Sequence, residues 1–368
     1  MLSILDLEVT SHCNLQCRWC FVTASGRARH MTREIAWSAL TQARALGADT
    51  LHLTGGEPLV WPHLLALLEE AVRLGYNQVL LNTNGLLLHE DLLAFLSELP
   101  LRVRLTISLD GPAEIHEANR GVGTHAKVLA GIQEALQAGL AVQVFTIAGK
   151  SLLPLAKTFA RDLFQRFAEL DGIHFIPIGD VGQSDSQALD AAELVDLVAL
   201  SAAFLLAGRT VKILDFPVAN LVYRALKLPV SLVGSHCTAC RSRIAVQSDG
   251  TVTPCHPVWA PVGRLQDETL EQVLVSPLCE LVRDRRYAAC ADCPDREICG
   301  HCRAVVLGAG LAIEAHDGFC HAVRAELARR LDLTSAVESL TRELEATLKS
   351  PRPRSQQTDA TGAAHVAL

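Results

Sequence analysis

Along the first half of the chain, short β-rich runs alternate with longer amphipathic runs, and that alternation restricts the fold more than any other feature. Extended runs are expected at residues 4–9, 50–53, 78–81, 102–107, 142–147 and 172–178. Between them apolar residues recur at helical spacing, over residues 32–46, 62–74, 90–97, 124–138 and 153–170. Parallel neighbours cannot be joined by a tight turn, so a helix between each consecutive pair predicts a parallel α/β sheet, either doubly wound or curled into a partial barrel. Five of these runs also end in a polar or glycine-rich signature. Cys13 to Cys20, Thr54-Gly55-Gly56-Glu57-Pro58, Asn82-Thr83-Asn84-Gly85, Ser108-Leu109-Asp110-Gly111 and Gly149-Lys150 follow five different strands. In parallel architecture those ends share one face, which makes them parts of one composite pocket.

Composition removes several function classes. The chain has 368 residues, 49% hydrophobic and 20% charged, as in a globular enzyme with a well-buried core. A net charge of −7 provides no basic field for nucleic acid or for an anionic membrane surface. The most apolar helical run, residues 194–207, contains Asp196 and is too short to span a bilayer. Residues 1–8 enter a strand directly rather than forming a secretory signal. Twelve cysteines in such a chain suit metal binding in a reducing compartment, so a cytoplasmic location is expected.

Cys13, Cys17 and Cys20 have the spacing C-x3-C-x2-C. Three thiolates on one loop hold three corners of an iron-sulfur cube and leave the fourth iron open. Structural zinc, with a further ligand such as His12, or buried thiols satisfy the same spacing. The next strand end carries Gly55-Gly56-Glu57-Pro58, and with this second motif residues 4 to about 178 resemble the core of the radical S-adenosylmethionine (SAM) family. The resemblance implies a partial (β/α)6 barrel and a 4Fe-4S cluster on Cys13, Cys17 and Cys20. The open iron would bind SAM, whose reductive cleavage yields a 5′-deoxyadenosyl radical. It also implies that Gly55, Gly56, Glu57 and Pro58 receive the amino end of SAM. Trp19 would lie beside adenine, or simply pack the loop. Asn82, Thr83, Asn84, Ser108 and Asp110 offer groups suited to a ribose and a carboxylate. Arg120 resembles a family arginine that reaches the SAM carboxylate; a surface salt bridge is the alternative.

Nine of the twelve cysteines fall between residues 234 and 320. Cys237 and Cys240 are followed by Gly250 and Cys255, then by Cys290-x2-Cys293-x5-Cys299-x2-Cys302, and finally by Cys320. The pattern resembles the SPASM extension of peptide-modifying radical SAM enzymes, apart from two residues rather than three between Cys299 and Cys302, read here as a tight turn at Gly300 and His301. By that resemblance Cys237, Cys240, Cys255 and Cys302 hold one auxiliary 4Fe-4S cluster, and Cys290, Cys293, Cys299 and Cys320 hold a second. Paired four-cysteine zinc sites are the alternative. Cys279, in a helical stretch, is expected to be a buried thiol. Clusters with four thiolates have no open iron, so they would relay electrons or hold the fold.

His256, directly after Cys255, is a candidate general base, with roles beside cluster sulfur or at the surface as alternatives. The expected organisation is a radical SAM core over residues 1–180, a connecting region over 181–233, an auxiliary-cluster domain over 234–320, a closing helix over 321–349 and a disordered tail over 350–368. No internal repeat is visible. The resemblance implies a flavodoxin-like or ferredoxin-like reductant and oxidative modification of a peptide or protein side chain. Since the first strand begins beside Met1, peptide recognition would fall to a separate protein or to direct binding. Radical oxidation, decarboxylation or rearrangement of a small molecule, such as a tetrapyrrole or a sugar-derived metabolite, is the alternative substrate class. A non-catalytic iron-sulfur carrier is a third reading, disfavoured by the SAM-type loops.

Overall fold

A computed structural model describes residues 1–20, 22, 29–178, 187–229, 237–258, 260–284, 287, 290–299, 302–308, 310–315 and 318–348. The polar run Gly182-Gln183-Ser184-Asp185-Ser186, which reads as a loop, the turn expected at Gly300 and His301, and the tail expected over 350–368 lie outside them. The six expected strands form as β1 (Ile4–Thr10), β2 (Thr50–Gly55), β3 (Gln78–Thr83), β4 (Arg102–Ser108), β5 (Ala141–Ala148) and β6 (Gly172–Pro177). Four short strands follow that sequence periodicity did not reveal: β7 (Val211–Ile213), β8 (Arg243–Val246), β9 (Thr251–Thr253) and β10 (Gly263–Arg264).

The helices of the first half are α1 (Arg33–Ala45), α2 (Leu64–Leu74), α3 (Glu90–Glu98), α4 (Ala113–Arg120), α5 (Thr124–Gln137) and α6 (Ala156–Arg166). Those of the second half are α7 (Ala191–Leu206), α8 (Ala219–Ala225), α9 (Leu270–Leu274), α10 (Pro277–Asp284), α11 (Arg296–Cys299), α12 (Arg303–Gly308), α13 (Phe319–Arg329) and α14 (Leu333–Thr347). The helix expected over 153–170 is shorter, because a 3-10 turn at Leu153–Leu155 contains Pro154 and precedes α6. The closing segment is two helices rather than one, since Arg330 leaves helical geometry with ψ 71°. Among the described residues no helix is long and apolar enough to cross a membrane.

The chain divides into two units, and the division differs from the expected one. The first comprises Met1–Ser108, His116–Val142 and Thr238–Arg286; the second comprises Leu109–Ile115, Gln143–Cys237 and Tyr287–Leu368. Residues 238–286 join the first strands because β8 pairs in parallel with β1, Leu5 lying opposite Ile244 and Leu7 opposite Val246. Strand order in the first unit is β10-β9-β8-β1-β2-β3-β4, parallel from β8 to β4, with β9 and β10 antiparallel at the edge. In the second unit β5, β6 and β7 are parallel neighbours.

Register gives the first unit's sheet two chemically distinct faces. Side chains alternate along a strand, and partners across parallel strands share a face. Leu5, Leu7, Leu51, Leu53, Val79, Leu81, Leu105 and Ile107 form one face, all fully buried. Helices α1 and α2 bury Ala36, Ala39, Leu40 and Ala43, and Leu64, Leu67, Leu68 and Ala71. Each such leucine contributes about 2 kcal/mol relative to exposure. The other face carries Asp6, Glu8, Thr10, His52, Thr54, Asn82, Arg104, Thr106 and Ser108. The apolar face holds the fold, and the polar face and the strand ends are left for chemistry.

In the second unit α7 is apolar almost all round, burying Leu194, Val195, Leu197, Val198, Ala202, Ala203 and Phe204. A capping box of Asp190 and Glu193 sets its start. The ion pairs of Arg330 with Asp196 and of Lys157 with Glu343 tie the closing helices to their neighbours.

Candidate active site

The cysteine loop leaves β1 and lies directly against the end of β2. Gly56 N donates to Thr10 O at 2.7 Å, and Glu57 N donates to His12 O at 2.8 Å. Only glycine permits this approach. A Cβ at Gly55 would stand 2.2 Å from Thr10 O, at a φ of +148°, and one at Gly56 would stand 2.1 Å from His12 O. Pro58 then opens a 3-10 turn, with extended Glu57 as its N-cap.

Glu57 is fully buried and joins two strand ends. Its Oε1 accepts from Leu59 N at 3.1 Å and from Thr83 Oγ1 at 2.9 Å, while Oε2 accepts from Asn84 N at 2.7 Å. Burial raises its pKa, against the opposing pull of those donors and of the Arg120 charge. A carboxylate has about four acceptor positions, so one stays available for a ligand N–H. Glu57 is therefore chiefly the clasp of the site, more embedded than its expected contact with an ammonium group suggested.

The loop after β3 reaches the cysteines. Asn84 Nδ2 donates to Asn14 Oδ1 at 2.7 Å and approaches Cys13 Sγ at 3.9 Å. Thr83 Oγ1 also accepts from Gly85 N at 3.1 Å, and the buried Asn82 Oδ1 has no partner among the described residues. Leu15 N donates to Cys13 Sγ at 3.4 Å, and Arg120 Nη1 to Cys17 Sγ at 3.8 Å. Trp19 N donates to Asn119 Oδ1 at 3.0 Å, Arg18 N donates to Asn119 O at 2.9 Å, and the Arg18 guanidinium lies 5.6 Å from the Trp19 ring centre. Asn119 thus clamps the cysteine loop from the end of α4. Sequence reading passed over it; its position beside Arg120 was the one available signal. Asp110 belongs to the second unit, where its buried carboxylate accepts from Ile147 N at 3.1 Å, and Ser108 is half-buried at the end of β4.

On the polar face, Asp6 accepts from His52 Nδ1 at 2.8 Å and from His256 N at 3.3 Å, with Arg243 Nε 3.6 Å away. Burial opposes its charge, but Arg243 and His52 prevail and hold its pKa at about 2. His256 Nε2 meets Thr54 Oγ1 at 3.2 Å, and burial brings the ring's pKa down to about 3. A ring held there is neutral at pH 7 and binds a proton weakly, which argues against the expected general base. Glu8 lies one step along the same face. Ser248 Oγ donates to its Oε1 at 2.9 Å, Oε2 lacks a partner among the described residues, and burial raises its pKa to about 7.

The later cysteines differ from one another. In the first unit Cys240 is disulfide-bonded to Cys279, so Cys279 is buried as expected but not a separate thiol, and Cys240, which the resemblance made a cluster ligand, has its sulfur joined to that of Cys279. Cys255, in the same unit, and Cys237 and Cys302, in the second, are not disulfide-bonded. Cys290, Cys293, Cys299 and Cys320 of the second unit are likewise outside any disulfide. There Arg324 Nη2 donates to Cys293 Sγ at 3.1 Å and pairs with buried Asp295, which Arg224 also contacts.

Residues 7–151 match the Radical SAM superfamily model, and residues 237–294 match that of the SPASM iron-sulfur cluster-binding domain. This chain is a radical SAM enzyme with a SPASM domain. Among its relatives, the GTP 3′,8-cyclase of Nitrobacter hamburgensis is 36% identical over 199 residues, 50% of this chain and 55% of that protein. The AdoMet-dependent heme synthase of Oleidesulfovibrio alaskensis is 27% identical over 335 residues, 82% of each. The chain spans about half the length of the first of these relatives. The fold is similar to that of anSMEcpe with bound AdoMet, at a TM-score of 0.69 and 21% identity, over 95% of this chain and 98% of that one. It is also similar to Streptococcus suis SuiB bound to S-adenosylmethionine, at 0.69 and 17%, over 87% and 77%.

In this radical SAM enzyme N–H donors face several of the cysteine sulfurs, although no three His, Cys, Asp or Glu side chains among the described residues are already grouped around a metal position. N–H groups of Leu15 and Asn84 point at Cys13 Sγ and one of Arg120 at Cys17 Sγ, as donors to a thiolate do, while burial, the larger effect, raises the Cys13 pKa. Arg324 likewise donates to Cys293 Sγ. The departure is at Cys240, whose sulfur is already bonded.

Proposed function

We propose that this radical SAM enzyme oxidatively modifies a peptide or protein side chain, by cross-linking or dehydrogenation. The observation that supports the SAM-cleaving part is the clasp of Glu57 on Thr83 and Asn84, the latter bonded in turn to Asn14 in the loop of Cys13, Cys17 and Cys20. Those cysteines would hold the 4Fe-4S cluster; bound there with SAM, it supplies an electron that generates a 5′-deoxyadenosyl radical. Gly55, Gly56 and Glu57 would receive the amino end of SAM, Arg120 its carboxylate and Trp19 its adenine. Asn82, Thr83, Asn84, Ser108 and Asp110 would complete the contacts, with Thr83 and Asn84 also orienting Glu57.

Two auxiliary clusters would take up the substrate's electron, one on Cys237, Cys240, Cys255 and Cys302, the other on Cys290, Cys293, Cys299 and Cys320. His256 would orient the Cys255 segment through Asp6 and Thr54. A flavodoxin-like or ferredoxin-like protein would supply the first electron, in the cytoplasm, and a separate protein could present the peptide. The peptide reading is supported by the SPASM match and by related folds, among them SuiB bound to precursor peptide SuiA. A small-molecule substrate is the second reading, supported by the heme synthase that matches over 82% of both chains.

Anaerobically reconstituted protein with dithionite and SAM should release 5′-deoxyadenosine and contain about twelve irons per chain, from three four-iron clusters. Full iron with no 5′-deoxyadenosine would sink the enzyme reading in favour of a carrier. Deuterium transfer into 5′-deoxyadenosine from labelled peptides, but not from labelled tetrapyrroles, would decide for the peptide.

A further inference from the structure

The loop that leaves β1 with Cys13, Cys17 and Cys20 is closed at its base by residues that the sequence motifs did not mark. The chain returns at Arg29, His30 and Met31, and His30 lies opposite Thr10 in an antiparallel bridge to the end of β1. Met31 N donates to Val9 O at 2.9 Å and Trp61 Nε1 to Met31 O at 2.9 Å, so buried Met31 and Trp61 fix the returning end to the core. Ser11 N donates to Arg29 O, and Arg29 N to Ser11 Oγ, each at 2.8 Å. None of these bonds involves a cysteine.

Thr10, fully buried, is the centre of the closure. Its Oγ1 accepts from His12 N at 3.0 Å, donates to Arg29 O at 3.1 Å and lies 2.9 Å from His30 Nδ1. A hydroxyl has one hydrogen and two lone pairs. With the hydrogen on Arg29 O and one lone pair taken by His12 N, all three contacts are met only if Nδ1 carries a hydrogen. The His30 ring also stacks on that of His12, with centres 4.5 Å apart and planes at 26°. His30 therefore touches the last residue of β1 and the residue before Cys13.

Resting on the reading that Cys13, Cys17 and Cys20 hold the SAM cluster, we propose that His30 is a positioning residue for their loop. As the Nδ1–H ring it donates to Thr10, leaves the hydroxyl hydrogen for Arg29 O, and so joins the outgoing and returning ends of the loop. The bond to Thr10, rather than the stack on His12, carries the effect.

The test uses full-length protein reconstituted anaerobically with iron and sulfide, comparing wild type with His30→Phe, His30→Asn and His30→Asp. Phenylalanine keeps a ring for the stack and removes the bond, asparagine keeps a donor, and aspartate only accepts. One readout is hydrogen exchange of the Ser11 and His12 amides by mass spectrometry. The other is loss of iron to a chelator, in the phase missing from a Cys13→Ala, Cys17→Ala, Cys20→Ala variant. His30→Phe and His30→Asp should speed both about fivefold, the equivalent of one neutral hydrogen bond, and His30→Asn should stay near wild type. Thr10→Val should speed them at least as much, and adding His30→Phe to it should add nothing, because their shared bond is already gone. Wild-type rates in His30→Phe, or His30→Asn as fast as His30→Phe, would overturn the proposal. Rescue by His30→Asp would put the hydrogen on Thr10 and overturn the assigned ring form, and additive effects in the double variant would show that His30 does not act through Thr10. Should Thr10→Val not fold, the three His30 variants still decide. If the triple cysteine variant keeps wild-type iron, the cluster reading falls and the positioning role with it; the failures above, with that iron lost, leave the cluster reading standing.

Discussion

The loop of Cys13, Cys17 and Cys20 and the segment of Cys290, Cys293 and Cys299 hold sulfur by different physics. The first is fixed mainly by the backbone and neutral side chains. Gly56, Asn84 and Asn119 bind it, and it hangs from strand ends whose opposite face is a packed apolar layer. The second is built from the short helices α11 and α12 and organised by charge, with buried Asp295 contacted by Arg224 and Arg324, the latter also donating to Cys293. A loop held by a sheet keeps its shape without metal. A segment with little apolar core depends on ion pairs and on whatever its thiolates bind.

Asp295→Ala tests that contrast most severely. It leaves two arginines facing each other without their anion, and breaking a buried pair costs about 3–5 kcal/mol; with both arginines partly exposed, the lower end applies. Calorimetry should show loss of stability, and iron should fall by about four per chain, from one cluster, while SAM cleavage persists. Unchanged iron would show that charge does not organise this region.

Glu8 asks whether the sheet-held region can bury a charge unaided. Asp6, beside it, is kept ionised by Arg243 and His52, but Glu8 has only Ser248 as a donor among the described residues, and its pKa rises from 4.5 to about 7. With the folded-state value raised, its contribution to stability is present below pH 4.5 and disappears as pH rises through 7. Asp6 and His256 run oppositely, since both values are lowered: the Asp6 contribution is lost as pH falls through about 2, and that of His256 as pH falls through about 3. Glu8→Gln should therefore gain on wild type between pH 5 and 8, by about 3 kcal/mol at most at the upper end. Denaturant titrations across that range measure the gain, and a pH-independent difference would mean that Glu8 stays ionised.

Within the proposed SAM cradle, Glu57→Gln keeps one acceptor but turns an amide toward Asn84 N. Losing one hydrogen bond to a charged acceptor costs about 2 kcal/mol, or roughly a 30-fold loss in SAM affinity, with iron on the cysteine loop retained. Equilibrium dialysis with SAM measures it, and unaltered affinity would show that the clasp does not shape the cradle.

Much of this was legible in the sequence, and the reasons are local. The six principal strands and their polar ends carry alternating or helical periodicity within a few residues, so β1 to β6 and the loops at Cys13, Gly55, Asn82 and Ser108 could be read directly. The pairing of β8 with β1 could not, because Arg243–Val246 is four residues long and its partner lies some 240 residues earlier. The Cys240–Cys279 bond was hidden for the same reason: spacing shows which cysteines share a motif, but only the docking of α10 shows which share a place. Asp110 was readable as a strand-end carboxylate, yet its bond to Ile147 N depends on the neighbouring strand.

Asn119 is the smallest and most discriminating test of a backbone-held loop. Its side chain and carbonyl take the N–H groups of Trp19 and Arg18, so Asn119→Ala removes the first bond and keeps the second. The expected cost is about 1 kcal/mol, roughly a fivefold change in an equilibrium. It should appear as faster loss of iron from Cys13, Cys17 and Cys20 to a chelator, with the iron on Cys290 to Cys320 unaffected. Asn119→Asp keeps an acceptor for Trp19 N and should restore the slow rate. If both variants lose iron alike, or neither does, the N–H bond of Trp19 is not what steadies the loop, and the work falls to Gly56 and Asn84, which reach it from β2 and β3.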